Sequence, residues 1–316
     1  MTQGTDRILP GIVLMLAFCA LAPLLDVSSK LATETLPVGQ ITAARFVVQA
    51  ALMLPVVLFM RLTLRVPPRL ALRLVLRAVF LILSTYSFVA AVSFMAIADA
   101  LAIAFVEPFV LLILGRILFG DQVGPRRIAA CAVGFLGALL VIQPSLAAFG
   151  VRALWPLGTA FCFAFYMLST RAIAADLHPV TMQFHTALAG MAIMLPIMVL
   201  MDGSGTSFDP VMPQGIAWLW LFGMGFWATV SHMCMTYALK FAPASTLAPL
   251  HYSEIVVSVT LGYLVFGDFP NAVAWTGIAI IVASGLYIIH RERITARRAR
   301  QMMQTIAAED IAAPTH

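Results

Sequence analysis

Charged side chains are scarce in this chain. Asp, Glu, Lys and Arg make up 10% of its 316 residues and hydrophobic residues 62%, with a mean hydropathy of +0.98. An average soluble domain carries roughly 25% charged residues. So little polar surface cannot cover a water-soluble globule, and an integral membrane protein follows. Other absences narrow the class. The four cysteines, Cys19, Cys131, Cys162 and Cys234, fall inside apolar runs with no CxxC and no metal-ligand spacing. They read as small buried hydrophobes and point to neither a disulfide nor a metal. There is no Walker A or other nucleotide-binding loop, so ATP drive within this chain has no support. Paired catalytic Asp, a Ser with a base and HExxH are all missing, so no enzyme and no cofactor is expected. The first apolar run contains Asp26 and Lys30 and precedes no A-x-A-type site, which argues against a cleavable signal.

What the chain does have is apolar runs of spanning length, about 20 residues each. They fall near 9–29, 39–60, 78–97, 100–118, 128–147, 154–171, 180–201, 215–238, 246–265 and 272–290. Short connections with breakers such as Pro37, Pro67-Pro68 and Gly124-Pro125 separate them. The fold class read from this pattern is an all-α membrane protein of ten transmembrane helices.

The two halves repeat. Phe-Gly-Asp at 119–121 recurs at 266–268, and at the same offset of 147 Gly115 matches Gly262 and Glu107 matches Glu254. Met53-Leu54-Pro55 recurs as Met194-Leu195-Pro196, and Ala17-Phe18-Cys19 as Ala160-Phe161-Cys162. An odd number of spans per copy inserts the second copy upside down, which is the inverted-repeat design of secondary transporters, with a site at the repeat interface near the midplane. The division read here is 8–149 for the first repeat, 150–292 for the second and 293–316 for a basic cytoplasmic tail.

Orientation follows from the basic residues. Sixteen of the 19 Lys and Arg lie on the side of the N terminus; the other side holds Lys30 and Arg152, and Arg45 lies within a span. Both termini are therefore expected in the cytoplasm. Basic residues at span ends, rather than on one folded face, also exclude a nucleic-acid partner despite the net charge of +5. Arg61, Arg65, Arg69, Arg73 and Arg77 recur every four residues and read as an interfacial helix meeting anionic headgroups.

These residues resemble the drug/metabolite transporter superfamily, in particular its EamA-type members. The likeness rests on Lys30 closing helix 1, Pro37 followed by Arg45 in helix 2, the repeated Gly, three residues, Phe-Gly-Asp, and Gly134, Gly137, Gly277 and Gly285 in the closing helices of each half. It runs from about residue 8 to 292. Asp stands where the family commonly has Glu at the ends of helices 4 and 9. The resemblance implies ten helices in two five-helix inverted repeats in a bacterial-type inner membrane. It also implies a small-molecule substrate, with export of amino acids or drug-like compounds as the commonest theme and uptake of riboflavin or S-adenosylmethionine as the next.

Ionisable groups inside a span line a cavity or pair with one another. Glu107 and Glu254 lead. Each lies 13 residues before the Gly of its Phe-Gly-Asp, roughly 20 Å from that helix end, so the two are expected to flank the midplane from opposite sides. They would carry proton coupling or meet a cationic group; otherwise each holds the repeats in register. His251 lies three residues before Glu254, on one helical face. With Tyr252 it would stack on and hydrogen-bond a planar or zwitterionic metabolite, loosened by Pro249. Asp26 and Lys30, at i and i+4, are expected to neutralise each other or touch substrate. Arg45 would pair with Asp26 or grip a substrate carboxylate or phosphate bidentately. His185 and His232 read as isolated structural residues, and Asp99 and Ser245 as N-caps.

The function read from this is a secondary transporter of a small polar or amphipathic metabolite, driven by protons or by exchange. A membrane receptor or complex subunit using the Arg-rich tail is the reading from another class. Partners are the bilayer, the substrate and protons, and a homodimer is left open.

Overall fold

The computed structural model describes residues 8–121, 124–142, 150–266, 272–273, 275–287, 289–291 and 294. Their regular structure is all helical, with no strand among the described residues. Three long helices open the chain: α1 (Ile8–Ala32), α2 (Val38–Phe59) and α3 (Pro68–Val92). Then come α4 (Ile97–Ala104), α5 (Glu107–Phe119) and α6 (Pro125–Ile142). A 3-10 turn, Gly150–Ala153, leads into α7 (Leu154–Ile173), followed by α8 (Pro179–Leu200) and α9 (Ala217–Phe241). The chain continues through α10 (Ala244–Leu247), a 3-10 segment (Ala248–Ser253), α11 (Glu254–Phe266) and the apolar helix α12 (Trp275–Arg291). By length and composition α1, α2, α3, α7 with its leading turn, and α8 can each cross a membrane.

The spans expected at 100–118 and 246–265 are each broken in two, which explains why neither forms one long helix. In the first, Pro108 offers no N–H and its ring would strike the carbonyl of Ala104 four residues earlier. Ala104 is accordingly the last residue of α4. In the second, Pro249 stands in the 3-10 segment that separates α10 from α11. Different prolines thus produce one geometry: Ala96 and Pro243, 147 positions apart, precede the broken helices with φ/ψ of −64°/149° and −66°/146°. Neither makes a side-chain cap bond. This corrects the N-cap reading of Asp99 and Ser245, which stand inside the first turns of α4 and α10. Ser245 instead accepts a hydrogen bond from Arg127 at 3.0 Å.

Phe-Gly-Asp acquires a physical meaning at its first copy. Gly120 ends α5 in the left-handed conformation, φ 66° and ψ 26°, which a Cβ disfavours. Its N–H bonds Arg116 O at 3.1 Å and the Asp121 N–H reaches back to Gly115 O at 3.3 Å, closing orphan carbonyls as a Schellman end. Asp121 then grips Arg171 of α7 with two bonds, 2.5 and 2.7 Å. In the second copy only Phe266 is described; Gly267, Asp268, Arg7 and the tail beyond residue 294 lie outside the described residues.

The arginine series is corrected. Residues 62–67 form no helix and Arg61 has φ of 51°, because Pro67-Pro68 start α3. Arg73 faces outward with Asp176 4.0 Å away, whereas Arg77 is 0% exposed. Two of the cysteines, Cys162 and Cys234, are only partly buried, and all four are free thiols.

Packing pairs the repeats across a pseudo-two-fold: α1 lies on α9, α3 on α7, and α2 on α8. Small residues permit the approach. At Gly190 of α8 an added Cβ would stand 2.3 Å from Phe46 of α2. Gly190→Ala is therefore expected to destabilise the protein by about 1–3 kcal/mol, as overpacked sites do, seen as a lowered melting temperature in detergent. Unchanged melting would show that α2 and α8 have room to part.

Candidate functional site between the repeats

Both broken helices restart on a glutamate: Glu107 is the first residue of α5 and Glu254 the first of α11. A carboxylate there sits at the positive dipole end of a half-helix. The breaks also free backbone carbonyls inside the bundle. Tyr252 answers one of them, its hydroxyl donating to Phe105 O at 3.2 Å. Its ring packs so closely on α6 that a Cβ at Gly134 would stand 2.5 Å from it. Tyr252 is wholly buried and does not line the cavity described below.

His251 joins the two acids. Its Nδ1 is 2.6 Å from Glu107 Oε2, and its Nε2 is 3.7 Å from Glu254 Oε2. The sequence reading separated these glutamates across the midplane; the 3-10 segment, by carrying His251 between the half-helices, brings them to one imidazole. The three side chains are 5–9% exposed. Glu107 Oε1 has no partner. Two acids from different repeats thus meet at one imidazole.

Opposite them stands Arg45 of α2, 3% exposed. It donates to Thr85 Oγ1, and its Nη2 meets His232 Nε2 at 2.9 Å. Since a guanidinium only donates, Nε2 accepts, so the ring proton of His232 sits on Nδ1, 3.0 Å from the phenol oxygen (Oη) of Tyr166. The Nε of Arg45 has no partner, nor has Asp26 Oδ2 on α1. Arg45 and Asp26 form no ion pair. Lys30 turns away from Asp26 as well: its Nζ donates to the carbonyls of Val92, at the end of α3, and of Met95 at 3.1 Å. The Asp26–Lys30 pairing is thus corrected, and Lys30 stands apart from the cavity.

Asp26, Arg45, Glu107, His232, His251 and Glu254 share one cavity of about 710 Å³, open space at its mouth included. Its aromatic wall is a stack: Phe18 and Phe163 have ring centroids 6.2 Å apart, and Phe163 and His251 5.8 Å, with interplanar angles of 19° and 20°. His232 meets both phenylalanines edge-on at 5.7 Å. The lining comes from the end of α1, the start of α2 and the start of α7. The cavity therefore occupies the half of the bundle away from the face where α1 begins, called the N-terminal face below. Among the described residues no group of three His, Cys, Asp or Glu is placed to hold a metal ion.

Five of the seven residues singled out from sequence meet here; Tyr252 and Lys30 do not. His232 was set aside as isolated, because no acid accompanies it at helical spacing, and the structure places it at the centre. Its presence inside a span was the available signal. His185 bonds only backbone, Thr181 O at 2.9 Å and Leu64 O at 3.0 Å.

A helical bundle that buries its ionisable groups around a central cavity between two packed repeats is a multi-pass membrane transporter. The chain belongs to the EamA-like transporter family, which matches residues 9–143 and 151–290. It is similar to a riboflavin transporter of Vibrio cholerae, 31% identical over 183 residues, which are 58% of this chain and 59% of that protein's length. An S-adenosylmethionine uptake transporter of Rickettsia prowazekii is 23% identical over 293 residues, covering 93% and 97% of the two chains. A pseudopaline exporter of Pseudomonas aeruginosa is 24% identical over 287 residues, covering 88% and 95%. One solved crystal structure shares the fold, with a TM-score of 0.72 and 21% identity over 94% of this chain and 99% of that one.

Proposed function

We propose that this protein is a proton-coupled or exchanging secondary transporter of a flat, ring-bearing polar metabolite, the class to which riboflavin and S-adenosylmethionine belong. One observation carries the reading. Among the described residues seven buried side-chain atoms lack a hydrogen-bond partner, and four of them line this single cavity: Asp26 Oδ2, Arg45 Nε, Glu107 Oε1 and His251 Nε2. Leaving such atoms unpaired costs about 1–3 kcal/mol each. A cargo that pairs with them and lies on the Phe18–Phe163 wall recovers that energy. Donors and acceptors around an apolar wall are what a heteroaromatic ring with polar edges presents.

Amino-acid or drug export, the family theme placed first from sequence, is supported by the orphaned donor of Arg45 and acceptor of Asp26, which suit a zwitterionic head, and by the resemblance to the pseudopaline exporter. The uptake class is preferred because the aromatic wall has no role in holding a zwitterion. In the membrane we place the N-terminal face in the cytoplasm: without buried Arg77, fifteen basic residues still lie on that side. No enzymatic role is assigned.

Riboflavin is expected to raise the melting temperature of the purified protein and to be accumulated by proteoliposomes. A ligand at about 100 times its Kd stabilises the folded state by about 2.7 kcal/mol. Stabilisation by amino acids and not by flavin or S-adenosylmethionine would return the exporter reading.

A further inference from the structure

Arg77 is the largest wholly buried side chain among the described residues, and no acid pairs with it. It stands on α3 eight residues before Thr85 of the cavity lining. That puts it about 12 Å closer to the N-terminal face. Every hydrogen-bond partner it has belongs to the second repeat. Its Nε donates to Thr170 Oγ1 at 2.8 Å, Nη1 to Thr186 Oγ1, and Nη2 to the Tyr166 phenol oxygen (Oη) at 2.9 Å and to Gln183 Oε1 at 3.5 Å. The guanidinium also lies 4.5 Å from the centroid of the Tyr166 ring. Alongside, Gln183 of α8 bonds Gln49 of α2 at 3.0 Å and Thr236 of α9 at 3.0 Å. One layer of polar bonds therefore ties α2 and α3 to α7, α8 and α9 between the cavity and the N-terminal face.

We propose that Arg77 is the gate residue of the N-terminal face. Its hydroxyl and phenol partners hold the two repeats together in the conformation seen here, and their parting opens the cavity toward that face. The choice of partners suits a gate. A cation held by carboxylates would be costly to separate, because each charge is left uncompensated. Three hydroxyls and an amide accept four bonds from the guanidinium while closed, and water replaces them when the repeats part. The layer also communicates with the cavity. Tyr166 accepts from Arg77 and from His232, and His232 accepts from Arg45, so a cargo group that draws Arg45 away disturbs the last bond of this chain. Further out, the Asp121–Arg171 pair reinforces the same closure at the face itself.

Gating by Arg77 requires transport through the cavity but no particular cargo, so it is read without ligand in oriented proteoliposomes. The probes are membrane-impermeant maleimide and two reporters: Leu81→Cys, one helical turn above Arg77, and Phe88→Cys in the cavity lining. Arg77→Gln is expected to raise labelling of Leu81→Cys from the N-terminal face about tenfold, the population change expected for losing a hydrogen bond to a charged group. Labelling of Phe88→Cys from the opposite face is expected to fall, since opening one side withdraws molecules from the other. Arg77→Lys, which keeps the charge without the fork, and Tyr166→Phe, which keeps the ring, are expected to shift both reporters in the same directions by smaller factors. These two milder variants decide the matter if Arg77→Gln fails to reach the membrane. Unchanged labelling in both would overturn the gate, and so would labelling that rises from both faces, which marks general loosening.

Discussion

Glu107→Gln is expected to abolish transport driven by a pH gradient while leaving substrate exchange measurable. The amide keeps the shape of the side chain and can still accept the His251 Nδ1–H, 2.6 Å away, but it cannot carry a proton. The cluster of Glu107, His251 and Glu254 then loses one of its two acids, and uptake no longer follows the gradient. A loss of about 100- to 4,000-fold in driven uptake is expected, because removing one partner of a buried, hydrogen-bonded charge pair costs about 3–5 kcal/mol and 1.4 kcal/mol is about tenfold. Glu254→Gln should act in the same direction and less strongly, since its oxygen lies 3.7 Å from the imidazole. Uptake by proteoliposomes across imposed pH gradients, with exchange at equal pH as the control, measures this. Wild-type pH dependence in both variants would remove the acids from coupling and leave them as ties between the half-helices.

Arg45→Lys is the second large effect. Lysine keeps the charge, but a single ammonium cannot reach Thr85, His232 and a cargo group from one fixed plane. The expected result is a KM raised by about 10–100-fold with Vmax little changed, corresponding to one hydrogen bond to a charged group, about 1.5–3 kcal/mol. Initial uptake rates over a range of substrate concentrations separate the two constants. A wild-type KM would show that Arg45 only braces His232 and Thr85. Loss of Vmax alone would place its effect in the conformational change, through Tyr166 and Arg77, rather than in cargo binding.

The spans, the repeat and the paired glutamates were legible without coordinates because each depends on local chemistry. A membrane crossing needs about 20 apolar residues, and a charged group within one is costly enough to be noticed. Asp26, Arg45, Glu107, His251 and Glu254 were found by that rule, and they meet in one cavity. The same rule marked His232 and passed it over, because its partners Arg45 and Tyr166 are 187 and 66 residues away in the chain. It also retained Tyr252 and Lys30, whose hydroxyl and ammonium are used to close backbone carbonyls.

Amino-acid order alone therefore determined a membrane-embedded, duplicated, helical transporter and the kinds of group its interior would hold. It could not tell which face of each helix turns inward, since spanning helices are apolar on nearly every side. Only the packing of α1 on α9, α2 on α8 and α3 on α7 decided that. That packing buried Arg77 away from the basic face to which its spacing had assigned it. The breaks at Pro108 and Pro249 then brought Glu107 and Glu254 to a single imidazole, because a half-helix starts wherever the backbone can no longer continue, and its first side chain is delivered into the space the break leaves.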